Sequence, residues 1–194
     1  MNPWVRTRSS RTNPPASSQQ PNPHPHGTNG GGVSAERGTP AGALPVTATT
    51  KTAQLWCVGA HGGAGESTLA RFDAGWAESQ HRWPTNHGAT TRCVLVARSN
   101  AAGLLAAQAA LAQWNAARDP GWDVVGLVIM ADAPEKLPKP LRDLARLVAG
   151  GAPRSWQLPW VAGWRTDPED LSAAPRTVRG TIEQLKKISG EGGR

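Results

Sequence analysis

The chain has 194 residues, a mass of 20.4 kDa and a formal net charge of +7, a length that suits one ordinary domain and a tail. No apolar run approaches the roughly 20 residues that span a bilayer, and none near the N-terminus has the form of a secretory signal. Two cysteines make neither a disulfide framework nor a structural zinc site, so a basic, soluble, cytoplasmic protein without membrane contact is expected.

Residues 1–50 are expected to be a disordered Pro-, Gly- and Ser-rich tail. They hold eight of the 17 prolines, and residues 19–27 are of low complexity. Apolar residues are too sparse there to offset an ordering cost of roughly 1–2 kcal/mol per residue. Arg6, Arg8, Arg11 and Arg37 against Glu36 make the tail basic. That would allow weak, sequence-independent contact with nucleic-acid phosphates, although a solvated linker is the plainer reading.

Residues 51–190 alternate strands and helices. Residues 53–58 are an apolar run that predicts a buried strand, and residues 67–80 place Leu69, Phe72 and Trp76 at helical spacing. A polar segment with Pro84 and Gly88 leads to a second apolar strand at 93–97. Asn100 can cap the Ala-rich helix that follows, whose face carries Leu104, Ala107, Leu111 and Trp114. Asp119, Pro120 and Gly121 predict a turn. A third strand at 124–131 is apolar on both faces, as covered parallel strands are. Pro140 suits a first helical turn, and Leu141, Leu144, Ala145 and Val148 follow on one face up to Gly150. A strand at 155–158 ends at Pro159, and Val178, Ile182 and Leu185 mark a last helix. The alternation predicts an α/β fold, a parallel sheet with flanking helices joined by right-handed crossovers.

The segment Gly59, Ala60, His61, Gly62, Gly63, Ala64, Gly65, Glu66, Ser67, Thr68 follows the first strand and opens a helix. Glycines in that place let backbone N–H groups turn around an anion, with the positive end of the helix behind them. The segment resembles the deviant phosphate loop of the ParA/MinD partition ATPases, Lys-Gly-Gly-x-Gly-Lys-Thr-Thr, at Gly62, Gly63, Gly65, Ser67 and Thr68. His61 stands where that group has its signature lysine, and Glu66 where it has the phosphate-binding lysine. Like charges about 4 Å apart repel by roughly 4 kcal/mol at an effective dielectric of 20, so Glu66 disfavours a triphosphate in the ordinary pose. Its carboxylate can instead fill the anion site and hold the empty loop closed.

Weaker likenesses to the same group lie at residues 94–105, 126–132 and 156–159. They imply a truncated P-loop NTPase-like sheet across residues 54–165. Asp132, ending a strand, could be the metal-site acid of such a fold; capping the loop towards Pro134 is the plainer role. No Asp-x-Asp strand is found, and the polar segment 80–92 looks too short for the missing strand-helix unit. The run from Ala131 to Gly151, with Leu158 to Val161, also resembles an actinobacterial family of unknown function often found in mobile elements. Together these imply a catalytically silent binding or regulatory module, acting through a protein partner in plasmid or mobile-element maintenance or transfer. No cofactor is assigned. ATP with Mg²⁺ at non-standard ligands is one alternative, and an NADP site with Arg98 on the 2′-phosphate is another.

Two further features bear on partners. Trp156, Trp160 and Trp164, with Arg98 and Arg165, form a candidate interaction surface, since exposed Trp and Arg dominate binding hot spots. Packing of the three indoles against the sheet edge is the competing reading. Cys57 and Cys93 sit in apolar strands and are expected to behave as small buried hydrophobes.

Overall fold

A computed structural model describes residues 42–118, 120–167, 170 and 174–190. The chain divides into two units, residues 1–37 and 38–194, and every described residue belongs to the second. The basic segment 1–41 and Asp119 of the expected turn lie outside the described residues.

The fold is α/β. Five strands form one parallel sheet: β2 (Leu55–Gly59), β3 (Trp76–Glu78), β5 (Thr91–Arg98), β6 (Trp122–Met130) and β7 (Ser155–Leu158). They lie in the order β3-β2-β5-β6-β7. Counted along the chain the order is 2-1-3-4-5, the flavodoxin-like doubly wound order, in which ligands bind where the winding reverses at the strands' carboxyl ends. That point lies between β2 and β5. The register aligns Gly59 with Val96, Arg98 with Met130, and Met130 with Leu158, so the strands finish on a common rim.

Each face of the sheet has its own core, as β5 and β6 are apolar on both faces. One face packs Val58, Leu95, Leu127 and Ile129 against α2 (Ala101–Ala116) and α3 (Lys139–Ala149) through Leu104, Ala107, Leu111, Ala145 and Val148. The other packs Leu55, Val94, Val96 and Val128 against α1 (Glu66–Ala70) and α4 (Arg176–Gly190) through Leu69, Val178, Ile182 and Leu185. The Asn100 side chain accepts the Gly103 N–H at 2.8 Å and caps α2, satisfying a helix donor that has no intrahelical acceptor. Among the described residues no helix is long and apolar enough to cross a membrane.

Three expectations are corrected. The helix expected over 67–80 is only the five residues of α1, and Trp76 lies on edge strand β3. The reason is local: Asp73 Oδ1 accepts the Gly75 N–H at 2.8 Å and Asp73 O accepts the Trp76 N–H at 3.1 Å. This tight turn reverses the chain at a glycine. Leu69 and Phe72 do face the core, but Trp76 is buried as a strand residue that pairs with Leu55.

The polar segment 80–92 holds no helix, but it does hold a strand, β4 (Trp83–Thr85). It pairs in parallel with β1 (Val46–Ala48), inside the stretch expected to be tail. Order therefore reaches back to Leu44, whose side chain is buried. The tie is one glutamine. Gln113 of α2 accepts the Leu44 N–H at 2.8 Å and the Trp83 indole N–H at 2.9 Å, and it donates to Leu44 O at 2.9 Å. Trp83 is fully buried and stacks on Trp122 with ring centroids 5.5 Å apart. No described helix lies between β3 and β5, and the pair belongs to the core on the α2 and α3 face.

Candidate functional site

The glycine loop spans the reversal point between β2 and β5, and three side chains fix it there. Glu66, the first residue of α1, is 6% exposed and turns back along the loop. Its Oε2 accepts the Gly59 N–H, and Oε1 lies 3.2 Å from His81 Nδ1. A Cβ on Gly59 would stand 2.4 Å from Glu66 Oε2, so only glycine admits the carboxylate. Gln80 and His81 both adopt positive φ, 53° and 59°, a backbone cost of order 1–3 kcal/mol each for non-glycine residues. That turn aims His81 at Glu66. Burial pushes the Glu66 carboxyl above its ordinary value; His81 and the N–H groups of Gly59 and His81 pull the other way.

His61 is the second tether. Its Nε2 accepts the Arg98 backbone N–H at 3.1 Å, and Nδ1 lies 2.8 Å from Gly62 O. The first bond makes Nε2 an acceptor, so Nδ1 carries the proton and donates. Gly103 makes room for this ring: a Cβ there would lie 2.5 Å from Arg98 O and 2.7 Å from His61 Nε2. Arg98 is the third. Its Nε donates to Gly63 O at 3.0 Å and its Nη1 to Ala131 O at 2.9 Å, joining the loop to the end of β6.

Of the remaining loop residues, Ala60 and Ala64 are buried, and the Ala64 N–H donates to His61 O at 3.2 Å. Gly63 and Gly65 take positive φ, 76° and 97°. A Cβ on Gly65 would also strike Met130 Sδ at 2.4 Å. Ser67 is exposed and Thr68 half-buried.

Asp132 follows Ala131, whose carbonyl Arg98 ties to the loop. It is exposed, and its backbone N–H donates to Ser99 Oγ at 3.0 Å. It lies on the lip of a cavity of about 570 Å³ at the ends of β6 and β7, walled by Ile129, Leu137, Leu141, Ala145 and Leu158. Sequence reasoning missed this cavity, because its walls come from four separated segments with no motif among them. Among the described residues no three His, Cys, Asp or Glu side chains gather closely enough to hold a metal ion.

The tryptophans divide. Trp156 is half-buried and donates to Gln184 Oε1 of α4 at 2.7 Å, its ring held against Gly126, where a Cβ would lie 2.5 Å from it. Trp164 packs on Phe72, centroids 5.4 Å apart, and its indole N–H donates to Asp170 O at 3.1 Å. Trp160 stands at the rim, with the Arg165 guanidinium 6.0 Å from its ring centroid. Packing against the sheet thus describes Trp156 and Trp164 better than free exposure does. Cys57 and Cys93 are fully buried, and burial pushes both thiols far up.

The chain belongs to DUF6668, a family of unknown function whose model matches residues 53–182. That span covers the five-stranded sheet and its loop, but not β1. No curated protein and no solved structure matches the chain.

Proposed function

We propose, with that membership as the premise, that this domain is a catalytically silent relative of the partition ATPases, acting as a binding or regulatory module. The observation that carries the reading is the position of Glu66. The side chain that would meet a polyphosphate is an acid, and its carboxylate is spent on the Gly59 N–H and His81 within the domain. The residues present do not fit a triphosphate with Mg²⁺. The lysine position is negative, His61 and Arg98 hold the loop's carbonyls and neighbours, and Asp132 lies on the lip of a different cavity. A module of this kind works through what it holds, here a protein partner in the maintenance or transfer of a mobile element. The open space beside Asp132 gives it room for a ligand of its own.

Calorimetric titration with MgATP, MgGTP and NADPH, paired with a phosphate-release assay, tests the reading. Wild type is expected to show neither saturable heat nor turnover. Glu66→Lys, which reverses the charge at the loop, is expected to gain ATP affinity. Mg²⁺-dependent turnover in wild type, abolished by Glu66→Ala, would refute the proposal.

A further inference from the structure

On the α1 and α4 side of the rim, the fold gathers residues that lie far apart in the chain. Thr68 of α1, Arg98 at the end of β5, and Trp160, Trp164 and Arg165 after β7 line a small cavity of about 80 Å³, floored by Met130. Arg98 is held in place by its bonds to Gly63 O and Ala131 O, through Nε and Nη1. Its Nη2 has no hydrogen bond to another described residue. Arg165 is exposed and rests on the Trp160 ring. Among the described residues neither guanidinium meets a carboxylate, and Glu66 is not among the lining residues, since its carboxylate faces Gly59 and His81.

Two guanidinium groups that meet no carboxylate among the described residues, beside a hydroxyl and backed by indole rings, make an environment for an anion. The rings displace water, which strengthens each charged hydrogen bond. The volume narrows the class: it exceeds the room one water needs but cannot enclose a nucleotide. The donors come from three different elements, α1, the end of β5 and the segment after β7. That suits a tetrahedral group better than a flat carboxylate, which a single guanidinium meets in its own plane. We infer that this cavity, formed by Thr68, Arg98, Trp160 and Arg165, is a site for a tetrahedral oxyanion, the phosphoryl group of a small phosphorylated molecule. The site is separate from the position Glu66 blocks, so it does not depend on whether the loop accepts a nucleotide.

The test uses the full chain and its indole N–H resonances, with Trp160 assigned by Trp160→Phe. Inorganic phosphate, sulfate, acetate and chloride are titrated at constant ionic strength. Phosphate and sulfate are expected to shift the Trp160 and Trp164 signals saturably, and acetate and chloride to leave them in place. Arg165→Gln, at an exposed position whose loss leaves the core intact, is expected to weaken phosphate binding about tenfold. Thr68→Val, which keeps the shape and removes the hydroxyl, is expected to weaken it severalfold, with the other indole signals unmoved. No saturable shift with phosphate, an equal response to acetate, or full affinity retained in Arg165→Gln would overturn the inference.

Discussion

The β2–α1 loop and the end of β6 lie on the same rim of one sheet. The first is filled by the chain's own polar atoms, from Glu66, His61 and Arg98, while the second leaves about 570 Å³ open beside Asp132. The difference lies in what each residue is made to satisfy. In the loop, the Gly59 and Ala64 N–H groups and the Gly62 and Gly63 carbonyls are partnered internally, and glycines at 59, 65 and 103 leave no space for a methyl group, while Gly62 and Gly63 face open space. At the cavity the walls are largely apolar, with Asn100, Gln157 and Thr177 among them, and Asp132 is exposed on the lip. A phosphate-loop pattern is thus closed at one end of the rim, and a pocket without a motif is open at the other.

Three substitutions sharpen that contrast. The largest effect is expected at Gly103, where a new side chain meets the Arg98 carbonyl and the His61 ring. Gly103→Val should cost about 3 kcal/mol in denaturant unfolding, and a cost under about 1 kcal/mol would show that the loop can move aside. An intermediate and pH-dependent effect is expected at Glu66. Its folded-state pKa is raised, so the native protein binds more protons than the unfolded chain between the ordinary carboxylate value and the folded one. Stability is therefore lost as pH rises through that window. Glu66→Gln lacks this loss, so its stability relative to wild type should grow with pH there and then level off. A pH-independent difference between the two would contradict the buried setting of this acid. The smallest effect is expected at Asp132, which is exposed. Asp132→Ala should stay within about 0.5 kcal/mol of wild type, and a larger loss would mean that the lip of the cavity is structurally committed.

Much of the fold could be read from the sequence, and the reasons are physical. β5 and β6 are long and apolar on both faces, which makes them unambiguous, and Asn100 caps the Ala-rich α2 by the expected bond. The misread helix at 67–80 came from spacing that a turn at Asp73 and Gly75 interrupts; Leu69 and Phe72 still face inward, so periodicity alone could not separate one helix from a turn and a strand. β1 was hidden because three exposed residues carry no burial pattern, and its anchor, Gln113, lies far along the chain. Within the loop, the charge reversal at Glu66 was legible as an obstacle to phosphate. The roles of His61 and Arg98 were not, because each depends on atoms brought together by the sheet's register. His81 offered a faint signal, an imidazole in a polar segment, but its aim at Glu66 depends on a left-handed turn that no residue type there announces.

The bond from the Gly59 amide to Glu66 is the centre of this account, and amide NMR reads it directly. In wild type the Gly59 N–H should resonate well downfield, exchange slowly with solvent, and move with pH as Glu66 titrates; in Glu66→Ala it should shift upfield and exchange fast. A Gly59 amide with the same shift and the same exchange rate in both proteins would show that the carboxylate does not hold the loop.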